Sequence, residues 1–319
     1  VATAIKTGGP GALFWMWIAA FFGMATKYAE GLLAIKFRTL DDQGNVSGGP
    51  MYYITHGFSG KWQIIAKPLA YFFAFAGVLV AWLGIGTFSQ VNSITSSLQN
   101  SFGWSPKIVS VILALITAAI IFGGIQSISK VSEKVVPFMA GLYIIAALIV
   151  IFANFNQLLP VLEMVFQSAF TGKAAVGGFA GATVMAAMRL GIARGVFSNE
   201  SGLGSAPIAA AAAKTEEPVE QGLISMTGTF IDTIIICTLT GLAILVTGQW
   251  SGSLEGAPMT QAAFSSIFGT FGELALTLSL VLFAFTTILG WSYYGERCFE
   301  FIFKSTKFLS FYRLIFVVM

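Results

Sequence analysis

Charge is scarce in this chain, and histidine and cysteine are almost missing. Lys and Arg number 17 and Asp and Glu 14, together 10% of 319 residues, with one histidine and two cysteines. A soluble domain carries about 25% charged residues, so most of this surface is not made for water. A lone His56 excludes histidine-based metal centres and triads. Cys237 and Cys298 lie far apart without metal-ligand spacing, which argues against a disulfide framework. A formal net charge of +3, sided rather than clustered, gives no nucleic-acid footprint. There is no phosphate-binding glycine loop, no nucleophile–base set and no secretory leader pattern. Strand-period alternation is absent, which excludes a membrane barrel. Neither enzyme chemistry nor a cofactor is expected.

What is present is apolar. Hydrophobic residues make up 56% of the chain, phenylalanine alone fills 30 positions, and the mean hydropathy is +0.82. The apolar runs are about 20 residues long, the length a helix needs to cross a bilayer. The sequence therefore predicts an all-α integral membrane protein, multi-pass in the cell membrane, with residues 1–319 forming a single transmembrane domain. Complete spans are expected over 12–37, 68–98, 107–125, 135–153, 219–247 and 273–303. A short interfacial helix is expected near Met51-Tyr52-Tyr53-Ile54, and an amphipathic run over 161–170. Val1-Ala2-Thr3-Ala4-Ile5-Lys6 reads as the end of a helix, and residues 311–319 as the start of a span, so both ends are expected to continue beyond the sequence.

Basic residues give the orientation. With the first complete span descending, Lys36, Arg38, Lys61, Lys130, Lys134, Lys214, Lys304 and Lys307 fall on one side, against Lys6, Lys107 and Lys173 on the other. The positive-inside rule makes the first side cytoplasmic. Residues 177–213 must then cross once. This puts Arg194-Gly195-Val196-Phe197-Ser198-Asn199-Glu200-Ser201-Gly202-Leu203-Gly204-Ser205 inside the membrane, between a small apolar segment and an alanine run. Non-helical backbone at that depth is tolerated only where it is buried in protein or lines a watery cavity. Ser205 is placed to cap a second half-helix, with Pro207 in its first turn. The dipole end of that half-helix would suit a carboxylate, and the carbonyls ending the first half would suit a cation or ammonium. A plain structural kink is the alternative.

Arg189, Arg194, Glu200 and Asp232 are the intramembrane charges, each expensive unless paired or hydrated. Either arginine can pair with Asp232 or Glu200; Asp232 can otherwise coordinate an ion. Thr286-Thr287 offers two hydroxyls for a hard-oxygen Na⁺ site, or each bonds back to its own helix. Trp291 can shut a pocket over a small solute, and Gln90 or Asn92 can hydrogen-bond the solute's carboxylate; packing between helices is the alternative. Gly84-Ile85-Gly86, Gly123-Gly124 and Gly177-Gly178 fit close helix approach.

Several runs together resemble the alanine/glycine:cation symporters, also called sodium:alanine symporters. They are Gly8-Gly9-Pro10-Gly11-Ala12 with Phe14-Trp15-Met16-Trp17, Gly23-Met24-Ala25-Thr26-Lys27 with Glu30, and Gly48-Gly49-Pro50-Met51-Tyr52-Tyr53-Ile54. Arg194 through Glu200 with Gly202-Leu203-Gly204-Ser205-Ala206-Pro207 is the most specific, and Gln221-Gly222-Leu223-Ile224-Ser225-Met226 through Asp232-Thr233 continues it. The resemblance covers essentially the whole chain. It implies a LeuT-type bundle of two inverted repeats with broken helices. It also implies symport of a small neutral amino acid, alanine or glycine, with Na⁺ or sometimes H⁺. On that basis Val196, Phe197 and Ser198 lie beside the substrate and Trp291 borders the pocket; Asn199 and Gln90 are further substrate-binding candidates. Thr286 and Thr287 supply the Na⁺ site, and Asp232 falls near a second ion position. The family's first broken helix is represented only by residues 1–7, so this polypeptide alone is expected not to transport while its parent does. An ion-uncoupled uniporter or channel, and a non-transporting receptor or assembly subunit, are the rival functions.

Overall fold

The structure is a computed structural model that describes residues 1–41, 44–84, 86–171 and 184–319. Expectations resting on Asp42-Gln43, Ile85, Lys173 and Gly177-Gly178, and on the start of the 177–213 crossing, lie outside these residues. Helices dominate: α1 (Ala2–Gly8), α2 (Gly11–Lys36), α3 (Pro50–Gly57), α4 (Gln63–Leu83), α5 (Phe88–Phe102), α6 (Pro106–Ile121), α7 (Gly124–Ala153) and α8 (Phe155–Phe170). Then come α9 (Val184–Asn199), α10 (Ala206–Ala210), α11 (Pro218–Thr229), α12 (Thr238–Val246), α13 (Gly256–Phe268), α14 (Thr270–Phe303) and α15 (Leu309–Val318). A two-stranded antiparallel hairpin, β1 (Thr39–Leu40) with β2 (Val46–Ser47), follows α2. Among the described residues, five stretches are long and apolar enough to cross a membrane: Gly11–Lys36, Gly124–Ala153, Pro218–Val246, Thr270–Phe303 and the region Gly60–Phe102, which holds α4 and α5.

The outward faces fit lipid. On α6 Val109, Leu113, Thr117 and Ile121 are buried at helical spacing, while Ile108, Val111, Ile112, Leu115 and Ile116 are exposed. Exposed apolar surface of this extent marks contact with another apolar phase.

Two differences from the expected spans have local causes. The region 68–98 is two helices, because α4 ends at Leu83 and α5 begins only at Phe88. Gly84 and Gly86 lie between them, and the Thr87 hydroxyl donates to the Ala81 and Trp82 carbonyls at 2.8 and 2.9 Å, taking up acceptors that a continuing helix would have used. Conversely, no loop surrounds Lys130 and Lys134; α7 runs unbroken from Gly124, even through Pro137.

The chain forms two compact units. The first comprises Val1–Lys27, Ala140–Gly202 and Met226–Ser279. Its organising contact is a stripe of small residues on α9. Ala187, Gly191, Gly195 and Asn199 are buried at four-residue spacing. A Cβ on Gly191 would lie 2.4 Å from the Ala12 carbonyl, and one on Gly195 3.1 Å from the Ala19 methyl. Such stripes let helix backbones approach in membranes, where van der Waals contact replaces the hydrophobic effect. Beside it, Trp15 donates to the Ala169 carbonyl at 3.2 Å and Trp17 to the Thr238 hydroxyl at 2.8 Å. Phe14 packs on Phe166 and Phe170.

The second unit comprises Tyr28–Met139, Leu203–Ser225 and Leu280–Met319. Ala66, Ala70, Ala74, Val78 and Ala81 form the buried edge of α4. Tyr312 is fully buried, stacked on Trp82, and donates to the Ser292 carbonyl at 3.2 Å. One end of α14 carries a buried ionic network. Arg297 meets Glu300 at 2.6 Å, Glu296 at 2.9 Å and Asp41 at 3.4 Å, and Arg313 meets Glu296 at 2.6 Å. Ser47 of the hairpin donates to Glu300 at 2.9 Å.

Candidate functional site

The 194–205 stretch stops being helical at a definite residue. The Glu200 amide closes the last turn of α9 on the Val196 carbonyl at 2.8 Å, and Glu200 itself has φ 57. Gly202 and Gly204 follow with φ 78 and 76. Left-handed backbone is natural for glycine and unfavourable for glutamate. Three such residues in five prevent helix from continuing. Helix resumes at Ala206 with Pro207 in its first turn, as expected.

Two details of the second half-helix differ from expectation. Ser205 makes no capping hydrogen bond from its side chain. The alanine run stays helical only to Ala210, because Arg38 collects the carbonyls beyond: Ala211 at 3.2 Å, Ala213 at 2.8 Å and Thr215 at 2.9 Å. The amide before it is also engaged by protein, since Gly204 N–H donates to Glu30 Oε1 at 3.2 Å. Glu30 thus faces the backbone just before the half-helix.

Polar side chains gather in the first unit where α9 ends. Ser198 Oγ donates to Asp232 Oδ1 at 3.1 Å and lies 3.4 Å from Cys237 Sγ. Asn199 Nδ2 donates to Thr233 Oγ1 at 3.0 Å, and Thr233 Oγ1 donates to Asp232 Oδ2 at 2.8 Å. The Asn199 side-chain oxygen accepts from Ser201 N–H at 2.9 Å, while its backbone carbonyl accepts from Lys27 Nζ at 2.6 Å. Asp232, Thr233 and Cys237 belong to Phe230–Cys237, which joins α11 to α12 with the wider winding of a π-helix. Such segments are rare and often mark functional sites. Ser198 and Asp232, 34 residues apart, are thus brought into direct contact.

The arginine pairing expected for Asp232 does not appear among the ion pairs of the described residues. Asp232 is met by two hydroxyls instead, while the Arg194 guanidinium lies over the Phe197 ring at 5.5 Å and Arg189 is exposed. Val196 is half-buried and Phe197 exposed beside it.

The remaining candidates belong to the second unit. Thr286 Oγ1 donates to the Leu282 and Phe283 carbonyls at 3.1 and 3.0 Å, and Thr287 Oγ1 to Phe283 at 2.9 Å. Both hydroxyls bond back to their own helix, which leaves their oxygen lone pairs as acceptors. Trp291 is buried and borders a cavity of about 220 Å³, whose other lining includes Phe73, Leu203, Ser205, Ile208 and Cys298. Gly86, in the gap before α5, abuts it: a Cβ there would lie 2.6 Å from Trp291 Cβ. Gln90 follows on α5, half-buried, and Asn92 is exposed. Cys237 and Cys298 are free, buried thiols.

Sequence reasoning gave no role to Thr233 or Cys237 and did not foresee the long-range contacts of Lys27 and Glu30, while the close approach it expected at Gly86 is seen against Trp291. Lys27 and Glu30 had a signal, since charges at 27 and 30 interrupt an otherwise apolar run. Thr233 had none, because a threonine in a span is ordinary.

Spans of this length with lipid-suited faces define a multi-pass helical membrane protein. Comparison with known proteins narrows the class. A profile of the sodium:alanine symporter family matches residues 1–319, and the chain belongs to that family. It is 51% identical over 321 residues to an uncharacterized transporter of Haemophilus influenzae and 49% identical over 324 residues to the sodium/alanine symporter AgcS of Methanococcus maripaludis. Each match takes in 100% of this chain and 69% of the relative. A probable sodium/glutamine symporter, GlnT of Bacillus subtilis, is 40% identical over 317 residues, covering 98% of this chain and 63% of its own length. The family is one of sodium-coupled amino-acid symporters.

Proposed function

We propose that the complete protein carries a small neutral amino acid, alanine or glycine, with Na⁺ across the cell membrane by alternating access, in a LeuT-type bundle. One observation carries this reading. Ser198, Asn199, Asp232 and Thr233 converge where α9 gives way to non-helical backbone. Interrupted helices with polar partners are how many secondary transporters hold solute and coupling ion.

On this reading Val196, Phe197, Ser198 and Asn199 are the substrate-binding residues of the first unit, and Gln90 and Trp291 those of the second. Thr286 and Thr287 give Na⁺ their free lone pairs, and Asp232 serves a second ion or orients Ser198. Ion and solute both favour the occluded state, so the ion gradient drives uptake. The name of the alanine symporter relative, at 49% identity, supports alanine over a larger side chain.

The test is uptake by the complete protein in proteoliposomes. An imposed Na⁺ gradient should concentrate alanine, and replacing Na⁺ with choline should abolish accumulation. Undiminished uptake in choline without an H⁺ gradient makes it a uniporter. No accumulation under any gradient makes it a non-transporting subunit or receptor.

A further inference from the structure

Lys27 and Glu30 sit within the apolar helix α2, buried at 9% and 8% exposure. An ammonium and a carboxylate three residues apart could serve only each other. Yet each reaches a backbone group far away in sequence. Within the first unit, Lys27 Nζ donates to the Asn199 carbonyl, which ends α9, at 2.6 Å. Within the second unit, Glu30 Oε1 accepts from Gly204 N–H, two residues before α10, at 3.2 Å. The signs are matched to the backbone. A cation faces carbonyls at the negative end of a helix, and an anion faces amides that no helix has used.

The small-residue stripe explains how the cation arrives there. Gly191 lies on Ala12, Gly195 on Met16 and Ala19, and Ser201 on Gly23, so α2 and α9 advance together until Lys27 reaches Asn199.

From these contacts we propose that Lys27 and Glu30 are positioning residues that hold residues 200–205 out of helix, and so fix the orientation of Ser198 and Asn199. Their effect on transport rests on the function proposed above; their hold on the backbone does not. Lys27 supplies the hydrogen bond that a continuing helix would have given to Asn199 O. Glu30 occupies the Gly204 amide that a continuing helix would have turned toward a carbonyl four residues back.

The decisive perturbation is the charge swap Lys27→Glu with Glu30→Lys in the complete protein. It keeps an opposite-charge pair at the same spacing but puts the wrong sign before each backbone group. Amide hydrogen exchange of a peptide covering 200–205, in detergent micelles, should accelerate by about tenfold or more, the scale of one charge-assisted hydrogen bond. Alanine KM should rise more than Vmax falls. The single variants Lys27→Met and Glu30→Gln should move both readouts the same way by less, and Lys27→Arg should restore them; these suffice if the swap does not fold. Wild-type exchange and KM in the swap would overturn the proposal, because the pair would then serve only itself. A wild-type protein that accumulates no alanine would sink the transport reading, while the exchange rates would still judge the clamp.

Discussion

Removing the Arg297 guanidinium should be among the most damaging single changes outside the site. Its side chain is 6% exposed and touches three carboxylates, at 2.6 Å for Glu300, 2.9 Å for Glu296 and 3.4 Å for Asp41. It also donates to Ser47 Oγ at 3.1 Å and lies over the Tyr293 ring at 5.5 Å. Among the ion pairs of the described residues Arg313 meets only Glu296, so Arg297→Met leaves Glu300 buried without its cation. Breaking a buried ion pair from one side costs about 3–5 kcal/mol, or about two to four decades in an unfolding equilibrium. Arg297→Lys keeps the charge but loses the planar fork that serves several oxygens at once, and should fall between. Adding Glu300→Gln to Arg297→Met removes one stranded charge and should recover about 1–2 kcal/mol. The assay is denaturant unfolding in micelles, followed by tryptophan fluorescence. A cost under about 1 kcal/mol for Arg297→Met, or no recovery in the double variant, would refute the reasoning, since a surface-like pair is worth that little. Tyr52, outside the spans, feels the same network: burial raises its hydroxyl pKa, and the Glu300 carboxylate raises it further.

Three further outcomes are expected. Gly191→Ala would place a methyl 2.4 Å from the Ala12 carbonyl and 2.7 Å from Trp15 Cβ, so it should destabilise by about 1–3 kcal/mol; an unchanged melting midpoint would count against the α9 stripe. Thr287→Ala removes only a bond back to the Phe283 carbonyl, so folding should hold while sodium dependence weakens; an unshifted sodium titration of uptake would exclude Thr287 as an ion ligand. Asp232→Asn keeps acceptors for Ser198 and Thr233 but removes the charge, so an ion-binding Asp232 predicts about a tenfold higher sodium half-saturation or more. An unchanged value leaves Asp232 as the partner that orients Ser198.

The sequence by itself determined the solvent, the helical class and most of the helices. These follow from local quantities: apolar run length, charge scarcity, and glycine and proline punctuation. Gly11–Lys36 matches the expected 12–37, Thr270–Phe303 the expected 273–303, and the interruption at 200–205 was announced by Gly202 and Gly204. The gap between Leu83 and Phe88 was equally visible in Gly84 and Gly86, but a long apolar window on both sides masked it. Partners are a different matter. An arginine paired with Asp232 or Glu200 is the economical expectation, because charge pairing is the one local rule available for a buried carboxylate. Only the tertiary structure decided that the Ser198 hydroxyl would take that place, that Arg38 would end the alanine helix, and that Lys27 and Glu30 would serve the backbone beside the break. Each of these depends on which residues, some 34 to 177 positions apart, the packed helices bring together, and helix packing in lipid is set by shape between small residues rather than by any pattern along one segment.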